Sequence, residues 1–417
     1  MKLLALAVFV SSFLLPPFSF GQGSLTPPGA PAPTMKRLDE VEPRTNLQAS
    51  PAPAGVDTTN PNYQFVINQP GSYYLSANIA VTKANGIQIN AEGVTLDLNG
   101  FQIARGSGSG GDGIQISDAA HRVTLVNGSI KGFALGINSI NPNGGARAGE
   151  FRDLDVSGCT SIAILSGPGA VLESCRVHDN TGTHGFSCNN GSTLTNCTAS
   201  ANTVTYAIAS GVGATLTSCK ASSNTCSFGI YADAGSLLTN CSAFLNIGTD
   251  TSSCGIATGT GCTITSSTAH ANISAASTFT ANTGIGFSVG AGNIIQGCTA
   301  SSNRGDGIQL VGYTLARGNS CTFNGSSRDG AGIHAISSAN RIEANNILNN
   351  YRGIDVDGPG NVIIQNTAKQ NTTNFDIAAN NVFGSIVDRT VPASAAVNGN
   401  SAPSSTGTTD PLANISY

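Results

Sequence analysis

A chain of 417 residues with no Trp, two Met, 51 Gly and only 10% charged residues is poor material for a helical enzyme, which needs strong helix formers and charged outer faces. A net charge of -4 spread over that length lacks the basic stripe that nucleic-acid binding requires, so no nucleic-acid partner is expected. The mean hydropathy of +0.04, built from Ala, Val and Ile among Ser, Thr and Asn, fits a β-rich protein with a neutral polar surface.

Lys2, an apolar run over residues 3–15 and then PPFSFGQG read as a signal peptide over residues 1–21, with an apolar core too short to span a bilayer. The expectation is a secreted protein, extracellular or periplasmic, with no transmembrane segment after signal cleavage. Residues 22–61 are rich in Pro, Ala and Thr around MKRLDEVEPR at 35–44, a linker with room for one short docking helix.

From residue 62 to 388 the chain repeats itself. Cys175, Cys197, Cys219 and Cys241 recur at a spacing of 22, each opening a Cys-x-(Val/Ala)-x-x-Asn segment that ends at Asn180, Asn202, Asn224 or Asn246. Looser copies end at Asn272, Asn303, Asn350 and Asn371, with a shortened one at Asn324. A Gly-Ile step or a near relative follows each Asn, as at Gly229-Ile230, Gly307-Ile308 and Gly353-Ile354, and Gly-x-x-(Leu/Ile) comes next, as in GATL at 213. Each repeat therefore holds three short alternating runs separated by Gly or Asn turns, with no helix between them. This is one rung of a solenoid. Stacking at about 4.8 Å turns each run into one long parallel sheet, and about twelve rungs give a rod of roughly 55 to 60 Å. Leucine-rich repeats and period-six left-handed helices do not fit the pattern. The expected fold class is all-β, a single-stranded right-handed parallel β-helix with three parallel sheets. Residues 389–417, rich in Ser, Ala, Asn and Thr, are expected to form an extended tail.

Two ladders follow from the stacking. The Asn series would bond amide to amide along one corner, and positions such as Leu216, Cys219 and Ala221 would fill a narrow bore. Eleven Cys in an exported chain suggest disulfides, but side chains that point the same way on adjacent rungs are badly aimed for one. Buried free thiols are the favoured reading.

The stretch ANRIEANNILNNYRGIDVDGPGNVIIQNTAKQN at 339–371, with QPGSYYLSANI at 69–79 and GVTLDLNGFQI at 93–103, resembles the right-handed β-helix repeat family. That family includes periplasmic copper-enzyme accessory proteins, mannuronan epimerases and relatives of pectate lyase, and the stretches at 69–79 and 93–103 are similar to the N-terminal rungs of functionally uncharacterised exported bacterial members. It covers about residues 63–388 and implies the fold. It implies less about activity, because the chain has neither the Asp-Pro-His of the epimerases nor the Arg-x-Pro-x-x-Arg of the lyases.

Chemistry is sought at the outward position of the Gly-Ile strand. Rung by rung this reads Gln88, Gln115, Asn138, Ala163, Ser187, Ala209, Tyr231, Ala257, then Gln309, His334, Asp355 and Asp376, with the rung near residue 285 left without a register. The last four stand among Arg304, Asp306, Arg328, Asp329, Arg352 and Asp357. His334 could act as a base oriented by a carboxylate, with Arg352 or Arg328 neutralising a uronate during β-elimination. Asp355 and Asp376 could instead form a hydrolytic carboxylate pair, or bind calcium together with Asp357. Solvated charges that keep an exposed sheet soluble are the structural alternative. The longer corner excursions at 246–255, 272–284 and 324–332 could wall a groove beside Tyr231 and Gln309, with Arg328 and Asp306 joining them in contact with a linear glycan. Three functions are open: a binder of polysaccharide or cell-surface glycan; a polysaccharide lyase, hydrolase or epimerase; and a non-catalytic adhesin or envelope rod. Oligomeric state is not legible.

Overall fold

The computed structural model describes residues 44–106, 110–139, 149–250, 253–274, 283–325, 330–388 and 410–416. The expected signal peptide, linker residues 22–43 and Arg328 lie outside them. The described residues form a right-handed parallel β-helix of about 13 turns. A typical rung runs from Thr215–Thr217 through Lys220–Ser222 to Phe228–Ala232, and each strand pairs in parallel with its equivalent one rung on. The three runs thus build three sheets, called first, second and third in that order. The first two are continuous where Thr124–Lys131 and Glu150–Ser157 pass from one to the other without a turn. Among the described residues no helix is long and apolar enough to cross a membrane.

Pairing extends into the spans read as linker and tail. Thr45–Asn46 joins the first sheet and Val56–Asp57 runs antiparallel to Tyr63–Ile67. At the other end Asn414–Ser416 lies between Thr367–Lys369 and Ile386–Asp388 and pairs with both.

The bore holds one side chain of each kind per rung, with Leu216, Cys219, Ala221 and Ile230 all fully buried. The Gly of the Gly-Ile step turns into this bore, where a Cβ on Gly307 would lie 2.6 Å from the Gly332 carbonyl oxygen. Glycine is what lets consecutive rungs approach there. All eleven cysteines are free and buried.

The expected Asn ladder is continuous. From Asn180 to Asn371 each Nδ2 donates to the next rung's Oδ1 at 2.9–3.0 Å. The residue before each ladder Asn, from Asp179 to Gln370, is left-handed, with φ between 52° and 57°. Two further ladders stand at the other corners, Asn319, Asn345, Asn366 and Asn414 in one and Asn340, Asn361 and Asn381 in the other.

Candidate functional site: the outer face of the third sheet

The Gly-Ile step places two consecutive residues toward the bore, so the residues on either side of that pair both point outward. The third sheet therefore carries two outward columns. Strand pairing fixes the second as Gln88, Gln115, Asn138, Leu165, Ser187, Ala209, Tyr231, Ala257, Ser288, Gln309, His334, Asp355 and Asp376. Leu165 replaces the expected Ala163, which fills the Gly slot and is fully buried. Ser288 supplies the rung near residue 285.

The other column was not read from the sequence, although its residues precede each Gly at rung spacing. It includes His184, Tyr206 and Phe228, whose rings stack with centroids 4.9 and 5.1 Å apart and planes within 13°. Tyr231 meets Tyr206 and Phe228 edge-on at 5.6 and 5.9 Å. Burial holds His184 below its usual pKa, which favours its neutral form in the stack. The next outward residues, Cys254, Ala257 and Ile285, are buried and form a small apolar cluster with Phe228 and Tyr231 packed against it. Tyr231 and Gln309 are thus three rungs apart, about 14 Å, and the face between them is partly filled.

The C-terminal rungs gather charge. Asp306, fully buried, accepts the Ala331 N–H through Oδ1 at 2.7 Å and meets His334 Nδ1 through Oδ2 at 2.9 Å. On the other side of the ring, Nε2 lies 3.0 Å from Asp357 Oδ2 and 3.7 Å from Asp355 Oδ2. Arg352 Nη1 donates to that same Asp355 oxygen at 2.5 Å, and its Nε lies 3.6 Å from Asp376 Oδ2. His334, Asp355, Asp357, Asp376 and Arg352 therefore form one connected charge network. Asp306, read as a ligand contact, is fully buried in the other outward column and holds the imidazole.

Burial alone would lower the His334 pKa, but the hydrogen bond and charge of Asp306, then Asp357 and Asp355, outweigh it and hold the ring at about 9. At neutral pH the ring is an imidazolium, a proton donor, not the resting base considered from the sequence. Burial raises the Asp355 carboxyl, opposed by Arg352 and by His334. Arg352 bridges Asp355 and Asp376, which makes that pair part of an ion network. The atoms that converge as a cation site are those of His334, Asp355 and Asp357, within 4.8 Å of one another, a set that does not include Asp376. Its imidazole is atypical for calcium, which prefers oxygen, and the Arg352 guanidinium already occupies the Asp355 oxygen.

A right-handed parallel β-helix with a polar and aromatic outer sheet face is the class these features define. No family profile matches the chain, and no curated protein matches it significantly. Among solved structures it is similar to the A-module of mannuronan C-5 epimerase AlgE6 of Azotobacter vinelandii, with a TM-score of 0.53 and 14% identity over 71% of this chain and 90% of that one. The A-module of AlgE4 from the same organism gives 0.51 and 15% over 70% and 90%. At such identities the likeness establishes the fold alone.

Proposed function

We propose that this is an exported protein that binds a linear polysaccharide along the outer face of the third sheet, with the His334 network as a polar subsite able to donate a proton. The observation that carries this is the four-ring platform of His184, Tyr206, Phe228 and Tyr231 on the same face as the fixed network. The edges of such a ring column, with its tyrosine hydroxyls, suit the apolar patches of sugars, and amide, hydroxyl and carboxylate groups suit their hydroxyls. The epimerases named above act on mannuronan, a polyuronate. Here Asp306, Asp355, Asp357 and Asp376 oppose His334 and Arg352, and both cations face carboxylates. That balance favours a neutral polymer over a polyuronate.

Affinity electrophoresis through gels containing hydroxyethyl cellulose, xyloglucan, galactomannan, alginate or pectate tests this reading. Retardation by a neutral polymer that weakens in Tyr206→Ala is expected. Ultraviolet absorbance that rises on alginate or pectate and is abolished by His334→Ala would replace this reading with a lyase.

A further inference from the structure

The corner between the second and third sheets changes character over the last rungs. At the left-handed position before each ladder Asn the chain places Asp179, Ala201, Ser223, Leu245, Ala271 and Ser302, and then Phe323, Asn349 and Gln370. A bulky side chain gains nothing from this backbone, which disfavours L-residues and suits Asn or Gly best. Phe323 nevertheless stands there with 60% of its surface exposed. Just past the ladder, where neighbouring rungs place Arg304 and Tyr351, Gly325 has φ of 77° and no room for a Cβ, which would lie 2.1 Å from the Gly330 carbonyl oxygen. Beside it lies an open cleft of about 580 Å³ with Phe323 and the exposed Tyr351 on its walls.

The remaining described walls are polar and uncharged. Asn324 and Asn350 also line the cleft, but their amides are committed to the ladder. Asn349, Gln370 and Thr372 are not so committed: their side chains make no hydrogen bond among the described residues, so their donors and acceptors are available to a ligand. Among the described residues no carboxylate or cation lines the cleft. Two rings with amide and hydroxyl groups around them match a neutral pyranose.

We propose that this corner cleft is a saccharide subsite, in which Phe323 and Tyr351 take the faces of a neutral sugar ring and Asn349, Gln370 and Thr372 take its hydroxyls. The proposal rests on the glycan reading above and extends it: Tyr351 adjoins Arg352, so a chain bound at the His334 network would continue around the corner into the cleft.

The test uses the full mature chain and its Phe323→Asn and Tyr351→Ala variants in gels containing hydroxyethyl cellulose, xyloglucan or galactomannan. Asn suits the left-handed backbone, so Phe323→Asn is expected to keep or raise the melting temperature while weakening retention by the binding polymer roughly tenfold. If the parent chain is retained and both variants are retained equally, the subsite is overturned and the glycan reading stands. If no neutral polymer retains the parent chain, both fall. Sedimentation supplies a separate arm: a dimer that Phe323→Asn dissociates would show that a second copy covers these rings and would also overturn the subsite.

Discussion

The corner between the first and second sheets is filled in two ways. Cys175, Cys197, Cys219, Cys241 and Cys298 occupy it in the earlier rungs, and Asn319, Asn345, Asn366 and Asn414 occupy it in the later ones. The thiols donate weakly to main-chain carbonyls, as Cys219 does to Leu194 at 3.4 Å and to Thr217 at 3.6 Å. The amides instead bond to one another at 2.9–3.1 Å and also accept from the preceding rung's main chain, as Asn345 Oδ1 does from the Asn319 N–H at 2.9 Å. The same backbone corner therefore accepts a small apolar plug or a cooperative polar wire. The wire lies in the half that holds the charged network. Among the described residues only that half joins neighbouring rungs amide to amide at all three corners.

Removing one link should separate the halves most clearly. Asn345→Ala leaves the Asn319 main-chain N–H and the Ala316 carbonyl without their side-chain partners, an expected loss of about 3 kcal/mol. Urea unfolding would show it, and a loss below that of Cys219→Ala would break the comparison. Next in size is pH. Folding raises His334 to about 9 from an unfolded value of about 6.5. Its contribution is fully present below about 6.5 and is lost as pH rises through 9, on the order of 3 kcal/mol at most. Asp355 is raised too, but its favoured form is neutral, so its contribution is present below the usual carboxylate pKa of about 3.9 and lost as pH rises. The melting temperature should therefore fall between pH 6.5 and 9, and His334→Gln should flatten that slope. Cys219→Ala should cost about 1 kcal/mol, the loss of a small apolar group from a packed bore. Smallest of all, the native thiols should ignore iodoacetamide at pH 8, since burial pushes Cys298 up to about 11 and Cys226 to about 12. Rapid labelling of the native protein would contradict the buried column.

The repeat was legible because every rung must match its neighbours, so the period, the three sheets and one Asn ladder follow from spacing. The other two ladders were hidden by substitution. Their columns pass through Cys, Ser, Thr and Ala before settling on Asn, and no residue type marks them throughout. Leu165 was missed because Ala163 stands in the Gly slot, so a Gly-based register slips at that rung. His184, Tyr206 and Phe228 escaped because the Gly-Ile step interrupts simple alternation, which hides an outward column from a period-two reading. The charged network was legible as a cluster. The protonation of His334 was not, since it depends on Asp306, whose burial only the folded chain reveals.

Asn414–Ser416 sits between two strands that precede it in the chain, and Ile386–Asp388 pairs with it. That rung cannot close as its own residues arrive; it must wait for a segment made some thirty residues later, whose Asn414 also takes the amide of Asn366 at 3.1 Å. Asn414–Ser416 serves as a keystone. During synthesis the rod can grow rung by rung, but this course stays open until that returning strand has been inserted.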